Sequence, residues 1–147
     1  MAIKKQDFYE GAALYLLARG GALPGFRYNA PFLEVCGKVL LLKFSTKGRS
    51  PWSFTFNVGE QTSLLERCEQ EAVVIGLICG SDGVVALPAK DYFSIASPRA
   101  SGLHVACYRQ HDKHYEVSGP DGVLGRRIAP SNWRRLFKSA EDCHETP

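Results

Sequence analysis

The stretch that decides the fold runs from residue 26 to residue 56 and reads FRYNAPFLEVCGKVLLLKFSTKGRSPWSFTF. Residues 39–44 are apolar apart from one Lys, which predicts a strand buried on both faces of a sheet. Residues 26–35 predict a preceding strand, in which Pro31 implies an edge position or a bulge. In 52–56 aromatic residues alternate with Ser and Thr, as in a strand with one buried face. The stretch therefore predicts three consecutive strands.

Helical patterns flank these strands. Residues 7–19 are strongly apolar, and Asp7 followed by Glu10 fits a capping box at a helix start. Residues 59–71 are polar but carry apolar side chains at helical spacing, which predicts a surface helix. The buried strand that follows, 73–79, completes the order α-β-β-β-α-β. Later segments add strands at 84–87, 103–109 and 114–117, a short helix or turn at 90–96, and a final short helix that ends at 137. The pattern predicts an α+β fold with a mixed sheet.

Length and composition fit a single domain. The chain has 147 residues, of which 45% are hydrophobic and 22% charged. We expect one globular domain over 1–138 and a flexible polar tail over 139–147. No apolar run reaches the roughly 18 residues of a membrane span, and the charged N-terminus is unlike a secretory leader. The five cysteines are odd in number and widely spaced, which argues against a disulfide framework. A cytoplasmic protein without a membrane partner is expected.

Charge is segregated along the chain. Residues 38–56 carry four basic groups and no acid, and residues 99–138 carry eight basic and three acidic groups. Residues 57–98 carry two basic and six acidic groups. Such asymmetry suits a polyanionic partner, although an unevenly charged solvated surface gives the same pattern. The candidate nucleic-acid contacts are Lys43, Lys47, Arg49, Arg126, Arg127, Arg134 and Arg135.

Two of these basic blocks have alternative interpretations. The loop 45–52 combines hydroxyls, Gly48, Lys47 and Arg49 beside an aromatic residue, a composition that can hold phosphate oxygens, although it is not a P-loop. A mobile basic hairpin is the alternative. In the final helix, Trp133 is expected to pack inward with Leu136 and Phe137, leaving the two following arginines outside. That helix either tracks phosphates or only closes the domain.

The element order and three short motifs resemble the PD-(D/E)XK nuclease-like superfamily, which includes restriction-endonuclease-like and Holliday-junction-resolvase-like proteins. In that family a first helix often carries Glu, one strand carries Pro-Asp, and the next carries Glu-X-Lys. Here Glu10 lies on the first helix, Pro31-Phe32 stands at Pro-Asp, and Leu41-Leu42-Lys43 stands at Glu-X-Lys. The resemblance covers residues 7–90.

The departures from that pattern bear on function. In active members the Asp and Glu hold a divalent metal ion that activates water at a phosphate. Phe32 and Leu41 offer Mg²⁺ no oxygen ligand. The resemblance therefore implies a degenerate, non-catalytic nucleic-acid-binding domain without a metal or cofactor. Lys43 is either a remnant that faces phosphate or a strand-end Lys that reaches solvent.

Two alternative functions remain open. Glu34 shares a strand face with Phe32, so Glu10, Glu34 and Lys43 could rebuild a Mg²⁺ site and an active metal-dependent nuclease, with Glu60 a further carboxylate. Against this, Glu10 fits the capping box and Glu34 a surface strand end. A protein-interaction subunit of a DNA-processing or anti-phage system, docking an acidic partner on its basic face, is the other alternative.

Overall fold

The computed structural model describes residues 4–17, 26–29, 31–35, 37–110 and 113–135. Within these ranges the chain forms two sheets and four helices, which confirms the α+β class with a mixed sheet. The elements in chain order are α1 (Lys5–Leu17), β1 (Phe26–Asn29), β2 (Phe32–Val35), β3 (Lys38–Ser45), β4 (Trp52–Phe56), α2 (Val58–Cys68), β5 (Val73–Cys79), β6 (Gly83–Pro88), α3 (Ala89–Ile95), β7 (Leu103–Tyr108), β8 (Glu116–Gly119), β9 (Gly122–Val123) and α4 (Asn132–Arg135). The predicted tail and the end of the final helix lie outside the described residues.

The mixed sheet has the spatial order β1-β2-β3-β5-β6. β1, β2 and β3 are antiparallel neighbours, β3 and β5 are parallel, and β6 returns antiparallel to β5. The chain passes through β4 and α2 between the two parallel strands. All seven residues of β5 are buried, as the apolar run predicts for a central strand.

The second sheet is antiparallel, with the order β4-β7-β8-β9. In β4 the aromatic side chains are buried and the Ser and Thr side chains are exposed, so the alternation predicted from sequence is confirmed. β4 nevertheless pairs with β7 and not with a strand of the mixed sheet. The three strands that precede α2 in the mixed sheet are therefore β1, β2 and β3.

Two local predictions are wrong. Residues 26–35 do not form one strand, because β1 and β2 pair antiparallel with each other and Pro31 is a turn residue just before β2. Proline suits this turn since its φ is fixed and it has no N–H to donate to a ladder. Helix α1 begins at Lys5, so Asp7 lies inside its first turn and cannot be the N-cap. Glu10 instead accepts a hydrogen bond from Gln6 Nε2 at 2.9 Å.

A capping box does occur at α2, where the sequence reading did not assign one. The Asn57 side chain accepts from Glu60 N at 2.8 Å, and Glu60 Oε1 accepts from Asn57 N at 3.0 Å. These bonds satisfy backbone donors that the first turn of a helix leaves unpaired. They also fix the Glu60 side chain at the start of the helix.

The mixed sheet is covered on both faces. One face packs with α2, α3 and the second sheet around Leu41, Phe56 and Ile75. The other packs against α1 and α4, where Trp133 inserts as predicted. Gly76 makes this approach possible, since a Cβ there would lie 2.7 Å from Leu42 Cδ2 and 3.2 Å from Trp133 Cζ3. None of the helices in the described part of the chain is long and apolar enough to cross a membrane.

Candidate nucleic-acid interface

A pocket of about 180 Å³ lies where β3 extends past its neighbour β2. β2 begins at Phe32, which is opposite Leu41, whereas β3 continues to Ser45. The last residues of β3 are therefore paired with β5 on one side and border the pocket on the other. We call this pocket the β3 notch, and its lining residues are Gln6, Glu10, Tyr28, Pro31, Leu41, Leu42, Lys43, Phe44 and Glu60.

Lys43 is held in the β3 notch by an ion pair. Its Nζ lies 2.7 Å from Glu60 Oε2 and 5.2 Å from the centre of the Phe56 ring. The Lys43 and Glu60 side chains are only 18% and 22% exposed. Lys43 is therefore a partly buried cation whose counter-ion, Glu60, lies on α2.

Two positions of the nuclease resemblance, those that it matches to the metal-binding Asp and Glu, are apolar and buried. Phe32 and Leu41 are Cα partners across β2 and β3 and are 5% and 2% exposed. Both pack in the core between the two sheets. In the described part of the chain, no group of three or more His, Cys, Asp and Glu side chains could hold a metal ion.

The relocated carboxylates are not brought together as a set. Glu10 and Lys43 line the β3 notch, and Glu60 joins them. Glu34 instead accepts a hydrogen bond at 2.6 Å from Arg67 Nη2, and it does not line the notch. This hydrogen bond is the main reason why the pKa of Arg67 is raised, with Glu71 as the second cause. Glu34 has a structural counter-ion on α2.

Of the three charged side chains that line the β3 notch, Lys43 and Glu60 are paired with each other, and Glu10 accepts from Gln6 and takes part in a further interaction. The basic loop predicted from sequence opens on a different pocket.

A second pocket, of about 330 Å³, lies between the loop 46–51 and the turn that joins β5 to β6. We call it the loop cleft, and its lining residues are Gly48, Arg49, Ser50, Trp52, Asp82, Arg109 and Gln110. Two guanidinium groups and one carboxylate line it, so its formal charge is positive. This sign suits an anionic ligand.

Hydrogen bonds hold the loop in place. Trp52 Nε1 donates to Lys47 O at 2.9 Å, and Lys47 Nζ donates to Pro51 O at 3.0 Å. Ser50 Oγ donates to Arg109 O at 3.1 Å, which ties the loop to the end of β7. Gly80 has a φ of 55° and lies so close to Lys47 O that a Cβ would collide with it. These contacts favour a fixed loop over the mobile hairpin considered from sequence.

Arg109 is the cation in the lining of the loop cleft that the sequence analysis did not identify. Its Nη1 donates to Asp82 Oδ2 at 2.9 Å, its Nε donates to Lys113 O at 2.7 Å, and its guanidinium lies 5.1 Å from the Tyr115 ring centre. The hydrogen bond to Asp82 raises the pKa of Arg109. Burial, followed by the hydrogen bond to Asp82, raises the pKa of Tyr115. The network keeps the guanidinium charged and fixed at the cleft.

The other predicted cations lie elsewhere. Arg126 Nη2 is 2.9 Å from Asp91 Oδ2, and Arg127 Nη2 is 3.8 Å from Glu116 Oε1. The two exposed arginines 134 and 135 belong to α4. This helix packs on one face of the mixed sheet, and the second sheet packs on the opposite face. The structure therefore groups Lys43, Lys47 and Arg49 near the end of β3 and disperses the remaining four.

Comparison of the chain with protein-family models, with curated proteins and with solved structures finds no match. The nuclease resemblance stays a prediction from the residues. The chemistry of the β3 notch and the loop cleft is the basis on which a function can be inferred.

Proposed function

We propose that this protein is a non-catalytic nucleic-acid-binding domain on a degenerate PD-(D/E)XK nuclease-like core. The observation that carries the proposal is the loop cleft, where Arg49 and Arg109 line one positively charged pocket beside a hydrogen-bonded loop. Guanidinium groups are suited to phosphate because their planar donors match its oxygens. Lys47 adds a further exposed cation to the same loop. We place the protein in the cytoplasm, as expected from sequence.

The position of the loop cleft relative to the β3 notch supports an extended nucleic-acid strand as the ligand. Phe44 lines the notch and Gly48 lines the cleft. Four residues of extended chain span at most about 14 Å, so the two pockets are neighbours at the same end of β3. A nucleic-acid strand whose phosphates are held at the cleft passes the notch.

Buried apolar side chains at Phe32 and Leu41 favour binding over hydrolysis. A carboxylate at either position would have to be accommodated in the core between the sheets, and neither side chain offers an oxygen to a metal ion. The domain is therefore proposed to act without a cofactor.

A metal-dependent nuclease is the second candidate, because Glu10, Glu60 and Lys43 line the same notch. The two glutamates are hard oxygen donors that fit Mg²⁺, and the ion would supply an activated water next to a bound phosphate. Glu34 has no part in this set, since it is paired with Arg67. In this candidate Glu60 would have to break its ion pair with Lys43 in order to bind the metal ion.

The test is a gel-shift titration on single- and double-stranded DNA and RNA at low and high salt, with Mg²⁺ and Mn²⁺ in parallel lanes. We expect retarded, intact bands that weaken as salt rises. Shortened products that require the metal ion and disappear in Glu60→Gln would establish the nuclease candidate instead. Absence of any shift or cleavage would refute both and favour an acidic protein partner.

A further inference from the structure

The outer face of the second sheet consists of side chains that strand alternation turns away from the core. In β4 and β7 buried residues alternate with more exposed ones, and in β8 the buried Val117 lies between two half-buried neighbours. Directly opposite residues of antiparallel strands share a face, so the register aligns the outward-facing residues of the three strands. They include Ser53, Thr55, His104, Ala106, Tyr108 and Ser118.

Two rings stand on this outer face, and β7 carries both of them. The Tyr108 side chain is 46% exposed and belongs to neither of the two buried clusters. His104 is also exposed, and Thr55 Oγ1 lies 3.0 Å from its Nδ1, which fixes the orientation of the imidazole ring. About 13 Å of strand separates the two rings. The side chains between them are small: Ser53, Ala106 and Ser118.

The cations beside the loop cleft lie at the Tyr108 end of this face. Pro51 immediately precedes β4 and Tyr108 is the last residue of β7, so the antiparallel register places the two opposite each other. Lys47 Nζ donates to the carbonyl oxygen of Pro51 at 3.0 Å. Arg109, which lines the loop cleft, follows Tyr108 directly in the chain. A phosphate bound at the loop cleft is therefore next to an exposed aromatic ring.

The outer face itself is almost free of formal charge. Glu116 is the Cα partner of Tyr108, and its Oε1 lies 3.8 Å from Arg127 Nη2. The other outward-facing side chains of β4, β7 and β8 are uncharged when His104 is neutral. A positive cleft that adjoins a flat, uncharged face with exposed rings complements a ligand with an anionic backbone and flat, uncharged rings. A nucleic-acid strand has this chemistry.

We propose, on the basis of the nucleic-acid-binding function proposed above, that the outer face of the second sheet binds unpaired bases. One base stacks on Tyr108 while its phosphate lies at the loop cleft, and His104 offers a position for a second base. Aromatic side chains on an open sheet bind single strands in this way, because bases that are splayed out of a strand can stack on them. The bases of an intact duplex are stacked on one another, so the preferred ligand is single-stranded.

The experiment measures fluorescence anisotropy with a labelled single-stranded 12-mer and with the same sequence as a blunt duplex, as DNA and as RNA. The variants are Tyr108→Ala, the conservative Tyr108→Phe, and Phe8→Ala as a matched control. Phe8 is 62% exposed on α1, which packs on the face of the mixed sheet remote from the second sheet. Thermal unfolding of each variant checks that folding is retained.

We expect the single strand to bind more tightly than the duplex. Tyr108→Ala should weaken single-strand binding by about fivefold or more, which is the lower limit for the loss of one base stacked on an aromatic side chain. Its salt dependence should equal that of wild type, because stacking releases no counterion. Tyr108→Phe keeps the ring and Phe8→Ala lies elsewhere, so both should bind as wild type does.

A crosslinking experiment tests the wild-type chain without any substitution. A single strand that contains 5-bromouracil is irradiated in complex with the protein, and mass spectrometry of the digested adduct identifies the crosslinked residue. We expect adducts at Tyr108 or His104. Adducts found only outside the second sheet would refute the stacking face.

Two outcomes of the binding experiment would overturn the inference. Binding that is as tight for the duplex as for the single strand, or that Tyr108→Ala weakens no more than Phe8→Ala does, would refute the stacking face while leaving the nucleic-acid-binding function intact. Absence of binding to every oligonucleotide would refute the nucleic-acid-binding function and the stacking face together.

Discussion

Replacing Arg49 with Ala tests the loop cleft as the place where phosphates bind. Lys47 and Arg49 are exposed, and neither is in an ion pair among the described residues, whereas Lys43 and Arg109 each have an acidic partner. An unpaired cation releases a counterion from nucleic acid when it binds a phosphate, so each one adds to the salt dependence of binding. We therefore expect about two phosphate contacts from this loop.

The magnitude follows from the salt slope. Two contacts to a single strand give a slope of log K against log salt of about −1.4, and one contact gives about −0.7. A fourfold rise in salt should then weaken wild-type binding about sevenfold and Arg49→Ala binding about 2.6-fold. The measurement is anisotropy titration with a single-stranded oligonucleotide at several salt concentrations.

Arg134→Ala is the matched control, because it removes the same charge from an exposed site on α4. That helix covers the face of the mixed sheet remote from the second sheet. The salt slope of Arg134→Ala should therefore equal that of wild type. Equal slopes for wild type and Arg49→Ala, or an equal reduction in both variants, would refute the reasoning. In that case nonspecific net charge, and not the loop cleft, would govern binding.

Two further predictions concern stability. Gly76→Ala should lower the free energy of unfolding by about 1–3 kcal/mol, because the added methyl presses on Leu42 and then on Trp133 in a filled core; an unchanged urea midpoint would contradict this packing. Hydrogen bonds from Ser97 N, Arg99 and the Ser97 hydroxyl lower the pKa of Asp121 to about 2. The charged carboxylate therefore stabilises the folded state above the pKa of Asp in the unfolded chain, and this stabilisation is lost as pH falls through about 2. Asp121→Asn should therefore melt below wild type at neutral pH, with a gap that closes between about pH 5 and pH 2; a gap independent of pH would contradict the pairing.

The buried strands were predictable because their signal is local. The apolar runs of β3 and β5 identify central strands, and the alternation in β4 identifies one buried face. The hairpin at Pro31 was missed because a proline is compatible with an edge strand, a bulge or a turn, and only pairing decides among them. The N-cap predicted at Asp7 failed for a similar reason, since α1 begins before it.

The candidate site was predictable only in part. Composition singled out the loop cations Lys47 and Arg49, and the resemblance singled out Lys43. Arg109 was missed because its partner Asp82 lies 27 residues away in the chain. A contact between two residues so far apart in the chain leaves no local sequence pattern by which it could be predicted.

The sequence by itself determined the α+β class, the central strands and the absence of oxygen ligands at Phe32 and Leu41, because apolar periodicity and side-chain chemistry are properties of the residues alone. The tertiary structure decided which charges meet. It paired Lys43 with Glu60 and Glu34 with Arg67, and it brought Arg109 and Arg49 together in one positively charged cleft. Electrostatic interactions depend on distance in space, which chain order does not fix.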